Sequence, residues 1–199
     1  MSMALSEPSV TDTMGGGFAN PPRDAAIAFR AALDVMARPG VIREITGGHP
    51  PLPLSPAAGS LLLVLCDPET RVYLSPSCDT DAVRAWLRFH TGAPLVAADK
   101  ADFAIGPWDQ LCPDLARMRQ GVQDYPDRSV TLIVEMDHLA AEGVRLTGPG
   151  IKAEAFLNLP ETTAFVANAR RFPLGFDTFF TSDSQIAALP RSTRIEGAS

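Results

Sequence analysis

The first half of the chain carries apolar residues at helical spacing, beginning with a stretch near the amino terminus. This stretch follows Asn20-Pro21-Pro22, places Phe29, Leu33 and Met36 at helical spacing, and stops at Arg38-Pro39-Gly40. A capping side chain, prolines in the first turn and a terminal glycine are the start and stop signals of a helix. The pattern therefore predicts a first helix between Asn20 and Arg38.

Two further helices are predicted before residue 91. Ser55-Pro56 opens a run that is apolar nearly all round through Cys66, which indicates a helix buried on most sides. Asp79 is expected to cap the third helix. The apolar stripe of that helix comprises Val83, Trp86, Leu87 and His90.

Strand patterns begin between these helices and dominate the second half. Residues 41–45, 71–75 and 103–105 are short strand candidates bounded by polar, glycine or proline residues. Residues 129–136 form a longer candidate in which both alternating sets of positions are largely apolar. A strand that is apolar on both faces belongs in the middle of a sheet covered on both sides.

The carboxyl-terminal third completes an α/β pattern. Strands are predicted at 142–147 and 153–159, separated by the turn Gly148-Pro149-Gly150, and a helix at 161–171. Residues 176–181 and 185–189 flank a short polar turn, which is typical of a hairpin. Helices that alternate with strands before a final hairpin indicate an α/β protein with a mixed sheet.

Composition limits the chain's organisation and its partners. The 199 residues are 46% hydrophobic and 20% charged, which predicts one globular domain over 18–199 after a disordered tail over 1–17. The net charge of −6 argues against general binding of nucleic acid or of an anionic membrane. The longest apolar run, 61–66, is far shorter than the roughly 20 residues of a membrane span. Cys66, Cys78 and Cys112 are spaced as free thiols, so we expect a cytoplasmic protein without disulfides.

The usual catalytic and metal-binding motifs are missing from the sequence. No glycine-rich loop ends in Lys-Ser or Lys-Thr, and no nucleophile elbow is present. His49, His90 and His138 have no paired ligand spacing with one another or with the cysteines. We therefore predict no catalytic residue, no bound metal and no cofactor for this chain on its own.

The arginines offer the clearest candidate site. Arg191 and Arg194 bracket Ser192 and Thr193 directly after the hairpin, and Arg128 comes just before the central strand. Guanidinium groups bind phosphate and carboxylate through paired hydrogen bonds, and hydroxyls can add donors. These five residues are candidates for binding a small anion or a partner. The other interpretation is that the arginines pair with acidic residues of this chain or of a partner.

Six motifs in order resemble the PhnH family over about residues 18–196. The motifs are Phe29-Arg30 with 33–40, 66–70, 125–129, 146–151, 172–177 and 188–196. The resemblance implies a subunit of the carbon–phosphorus lyase core complex, which joins an alkylphosphonate to the ribose of ATP as adenine leaves. It also implies a three-layer α/β/α sandwich similar to the large domain of PLP-dependent transferases but without the PLP site. Lys100 and Lys152 lie in no recognisable context for a Schiff base.

Two functional hypotheses follow from the residues and the resemblance together. The first is a structural or accessory subunit that forms a homodimer alone and binds the other core subunits, with ATP or phosphonate held at a site shared between chains. The alternative is a small-molecule transferase with its own anion site for phosphonate or triphosphate. Under either hypothesis we expect Arg191→Ala and Arg194→Ala to leave the fold intact while weakening anion binding or assembly.

Overall fold

In the computed structural model, which describes residues 15–196, helices and strands alternate through most of the chain. The helices are α1 (Pro21–Ala37), α2 (Pro56–Leu65), α3 (Asp81–His90), α4 (Trp108–Leu111) and α5 (Thr163–Ala169). The strands are β1 (Arg43–Glu44), β2 (Val72–Leu74), β3 (Phe103–Pro107), β4 (Gln120–Val122), β5 (Tyr125–Ser129), β6 (Thr131–Glu135), β7 (Val144–Thr147), β8 (Ala155–Leu157), β9 (Asp177–Ser182), β10 (Gln185–Leu189) and β11 (Arg194–Glu196).

The main sheet has six strands in the order β1-β10-β9-β6-β3-β2. Strands β2, β3, β6 and β9 run parallel to one another, whereas β10 is antiparallel to β9 and β1 is antiparallel to β10. The predicted mixed sheet is confirmed, and so is the hairpin formed by β9 and β10. Strand β6 lies inside the sheet with Leu132, Ile133 and Val134 fully buried, as its two apolar faces predicted.

Alternate residues along the strands of the main sheet belong to two hydrophobic cores, one on each face. On one face, Ile105, Ile133 and Phe179 share a core with the buried residues of α1, α2 and α3. On the other face, Leu132 and Phe180 share a core with α5 and with a three-stranded sheet in the order β11-β7-β8. The sheet is therefore covered on both sides, and the second covering layer combines strands with helix.

Polar side chains cap α2 and α3, whereas Asn20, the expected capping residue of α1, makes no side-chain cap hydrogen bond. The Ser55 hydroxyl accepts a hydrogen bond from the Ala58 amide at 3.1 Å, at the point where Ser55-Pro56 was predicted to open the helix. The third helix is capped by Thr80, whose hydroxyl accepts from the Val83 amide at 3.2 Å. The expectation that Asp79 caps this helix is wrong, because Asp79 lies one residue too early and pairs with Arg84 instead.

Some segments differ from the sequence predictions. The hairpin of β4 and β5 was not expected, and β11 adds an edge strand to β7. Residues 15–17, placed in the predicted tail, pack on the folded chain: the Gly16 carbonyl accepts from the His49 amide at 2.8 Å. The remainder of that predicted tail, 1–14, lies outside the described residues. Across residues 15–196, no helix is both long and apolar enough for a membrane crossing.

Candidate functional site

Arg191 is held inside the protein by an acidic partner. Its guanidinium forms a two-pronged pair with Asp177, with Nη2 2.6 Å from Oδ2 and Nε 3.1 Å from Oδ1. Its remaining donors reach the Pro126 carbonyl at 2.9 Å and the Ser129 hydroxyl at 2.5 Å. Only 12% of the Arg191 side chain is exposed. Arg191 therefore joins the segment after β10 to the start of β9 and to β5.

Arg194 lies apart from this network. It belongs to β11, opposite Thr147 of β7, and its side chain is exposed. Together with Arg170, which follows the last residue of α5, it lines a depression of about 310 Å³. Arg194 thus lines one depression together with Arg170, a residue that no sequence pattern indicated.

The other three predicted site residues are dispersed. Arg128 is exposed on β5, with its guanidinium carbon 4.0 Å from the centre of the Tyr125 ring. Ser192 is half-buried. Thr193 is buried, its amide donates to the Pro190 carbonyl at 2.9 Å, and its hydroxyl has no partner among the described residues. The five predicted residues therefore do not converge on one site.

A separate cleft lies at the carboxyl ends of the parallel strands. It measures about 360 Å³ and is lined by residues after β2, at the ends of β3 and β6, and around the β9–β10 turn, among them Cys78, Pro107, Glu135 and Asp183. A second cavity of about 580 Å³ shares Pro107 and Glu135 and continues to His138. Ligand sites of α/β proteins commonly lie outside the carboxyl ends of parallel strands.

Glu135 is the most unusual ionisable group of this cleft. Its carboxylate accepts hydrogen bonds from the Ser55 amide and the Thr181 hydroxyl, both at 2.8 Å. Burial nevertheless raises the pKa of Glu135, because the loss of hydration outweighs these two donors. The group can therefore retain a proton at a higher pH than an ordinary glutamate.

The charges around Glu135 decide which ligands the cleft can accept. Asp137 and Asp183 also line it, and no arginine or lysine within residues 15–196 does so. A phosphate-rich ligand would meet like charge here, so the cleft suits neutral or cationic groups. Burial raises the pKa of the Cys78 thiol, which keeps it protonated and poorly nucleophilic.

The structure also places the side chains that a metal ion or a Schiff base would require. In the part of the chain that the structure describes, no three His, Cys, Asp or Glu side chains group as metal ligands. His90 instead bonds the Gly15 carbonyl through Nε2 at 2.9 Å and packs on the Trp86 ring. Lys100 and Lys152 are both exposed.

One sequence signal could have revealed the cleft. Glu135 is the only acidic residue in the strand predicted over 129–136, whose other residues are apolar or hydroxylic, and it lies next to the carboxyl end of that strand. A charged residue at the carboxyl end of a central parallel strand is positioned for a ligand site. The depression of Arg170 and Arg194 had no comparable signal, since it depends on how α5 packs against β11.

Comparison with known proteins identifies close relatives along the chain. The family described as "Bacterial phosphonate metabolism protein (PhnH)" matches residues 16–196. The chain is 37% identical over 189 residues to alpha-D-ribose 1-methylphosphonate 5-triphosphate synthase subunit PhnH of Rhizobium meliloti (strain 1021), covering 91% of this chain and 94% of that protein. It is 28% identical over 179 residues to the putative C-P lyase subunit protein HtxG of Stutzerimonas stutzeri, covering 84% of each.

Proposed function

Since this chain belongs to the PhnH family, we propose that it is a subunit of a carbon–phosphorus lyase core complex in phosphonate catabolism. Its role is to take part, as a structural or accessory subunit, in forming alkylphosphonate ribose triphosphate from ATP and an alkylphosphonate. The observation that carries the proposal is the 37% identity to the Rhizobium synthase subunit across 94% of its length.

The outward face of α1 supports an assembly role. Ala28 and Ala32 point into the core, whereas Ile27 and Leu33 are 57% and 55% exposed. A helix that exposes large apolar side chains away from the core resembles one half of an interface. We propose this face as the contact through which the chain forms a homodimer alone or meets other subunits in the cytoplasm.

The assignment of the fold to a three-layer α/β/α sandwich is part of the same proposal. A sheet covered on both faces agrees with the three-layer sandwich that the family resemblance implied, although one layer includes strands. Similarity to the large domain of PLP-dependent transferases stays a prediction. ATP or phosphonate bound at a site shared between subunits also stays a prediction.

Co-purification with the neighbouring gene products tests the assembly role. A doubly substituted chain, Ile27→Asp with Leu33→Asp, should fold but lose its partners and run as a smaller species in light scattering. Phe89→Asp is the matched control, since Phe89 is a similarly exposed apolar residue on α3, at 54%. Unchanged assembly in the double variant would exclude α1 as the contact surface. If no other subunit co-purified with the parent chain, the proposed assembly role would be refuted.

The second candidate function is a transferase with an anion site of its own. The depression lined by Arg170 and Arg194 is the observation that favours it. Adenine release from ATP and methylphosphonate by the purified chain alone would establish this function. We expect no release without the partner subunits, and release at an undiminished rate would overturn the accessory role.

A further inference from the structure

The depression between α5 and β11 combines two positive charges with apolar side chains. Its lining consists of Val166, Ala169, Arg170, Arg194 and Ile195. The volume of about 310 Å³ lies at the lower end of the range of small-molecule sites, roughly 300–1,000 Å³. The lining therefore has space and apolar surface as well as charge.

Neither guanidinium is neutralised by the described part of the chain. Arg170 and Arg194 take part in none of the ion pairs found within residues 15–196, whereas Arg191, three residues before Arg194, is fully engaged by Asp177. The end of α5 contributes about half a negative charge through its dipole. Against two full positive charges, that leaves the depression positive on a chain whose net charge is −6.

We propose that Arg170 and Arg194 bind the dianionic phosphate or phosphonate group of a small ligand that carries an apolar substituent. Each planar guanidinium can donate two parallel hydrogen bonds to the tetrahedral oxyanion. Val166, Ala169 and Ile195 supply the surface on which an alkyl substituent packs. This binding site rests on the second candidate function above, which uses the same depression, and it is separate from the assembly role, which concerns α1 on the other face of the main sheet.

The first test is calorimetric titration of the full chain with inorganic phosphate, methylphosphonate and propylphosphonate at low ionic strength. All three should bind, and propylphosphonate should bind most tightly, by up to about fourfold for each methylene that becomes buried. Failure of all three to bind at millimolar concentration overturns the proposal. Equal affinity for methyl- and propylphosphonate overturns the apolar half of it.

Substitutions locate the site. Arg170→Gln and Arg194→Gln should each weaken binding by about tenfold or more, because each removes charge-assisted hydrogen bonds. Arg194→Lys should also bind more weakly, since lysine keeps the charge but lacks the planar guanidinium that donates paired hydrogen bonds. The matched control is Arg88→Gln, an exposed arginine in the last turn of α3 that has no ion pair in the described chain.

The outcomes separate a ligand site from a partner contact. Retained binding in both glutamine variants, or an equal loss in Arg88→Gln, overturns the assignment. If the parent binds none of the anions and the glutamine variants lose co-purifying subunits, the arginines bind carboxylates of a partner protein, which also overturns it. Weakened anion binding with intact co-purification supports the site and leaves the assembly role unaffected.

Discussion

Replacing Arg191 with alanine should destabilise the folded protein, contrary to the expectation from sequence that the variant folds like the parent. The substitution removes both guanidinium contacts to Asp177 and the hydrogen bonds to Pro126 and Ser129. It also leaves the Asp177 carboxylate, 26% exposed in the parent, with the amide of residue 191 at 2.8 Å as its one remaining hydrogen-bond donor within residues 15–196.

The size of the effect follows from how deeply the pair is buried. Exposed ion pairs contribute about 0–1 kcal/mol to the free energy of unfolding, whereas removing one partner of a buried pair costs about 3–5 kcal/mol. This pair is 12% and 26% exposed, so a loss of about 2–4 kcal/mol is reasonable. For a chain of this size, each kcal/mol lowers the melting temperature by about 2–4 °C.

Thermal and urea unfolding of matched variants provide the measurement. Arg194→Ala is the control, because that side chain is exposed and should change stability by no more than about 0.5 kcal/mol. The stability of Arg191→Lys should lie between those of the parent and the alanine variant, since lysine keeps the charge but lacks the paired donors of the guanidinium. In a double-mutant cycle with Asp177→Asn, the two losses should add to more than the loss of the double variant. Equal unfolding of Arg191→Ala and the parent would refute the reasoning.

Three further predictions concern other parts of the molecule. Because burial raises the pKa of Glu135, the folded state binds its proton more tightly than the unfolded state does. The free energy of unfolding should therefore fall as the pH rises from the ordinary glutamate pKa through the pKa of the folded state. Glu135→Gln should flatten this fall in urea titrations across pH, and an unchanged profile would contradict the prediction. Ser55→Ala removes the hydroxyl that caps Ala58 and should cost about 1 kcal/mol, whereas an unchanged urea midpoint would show that the cap contributes little. Lys100 and Lys152 are exposed, so mass spectrometry after PLP and borohydride treatment should find neither modified at stoichiometric PLP.

The order of elements could be predicted because it depends on local patterns. The prolines in the first turn of α1, the all-round apolar run of α2 and the two apolar faces of β6 are properties of neighbouring residues. The β4–β5 hairpin lacks such a signal: it contains Gly121 and Pro126, and most of its residues are exposed or half-buried. Strand β11 exists because β7 offers an edge to pair with, which no local pattern records.

The candidate sites depended on contacts between distant residues. The arginines and hydroxyls of 191–194 can be read from the sequence, but not that Asp177 engages Arg191 while Arg194 lines a depression with Arg170. Glu135 likewise becomes unusual only when the Ser55 loop and Thr181 enclose it. A sequence pattern gives the chemical type of a residue, whereas its partner is set by the packing of separate elements.

The position of β10 has a consequence for how the protein is made. Strand β1 has no neighbour in the main sheet except β10, which is inserted between β1 and β9. During synthesis on the ribosome, the segment that ends in β1 is complete long before its pairing partner leaves the exit tunnel. The early helices must therefore keep apolar surface exposed until nearly the whole chain has emerged, and such nascent chains are targets for chaperones. Protease digestion of ribosome-bound chains arrested before and after residue 189 would show this as a late and abrupt gain of resistance, and resistance acquired gradually from residue 66 onward would contradict it.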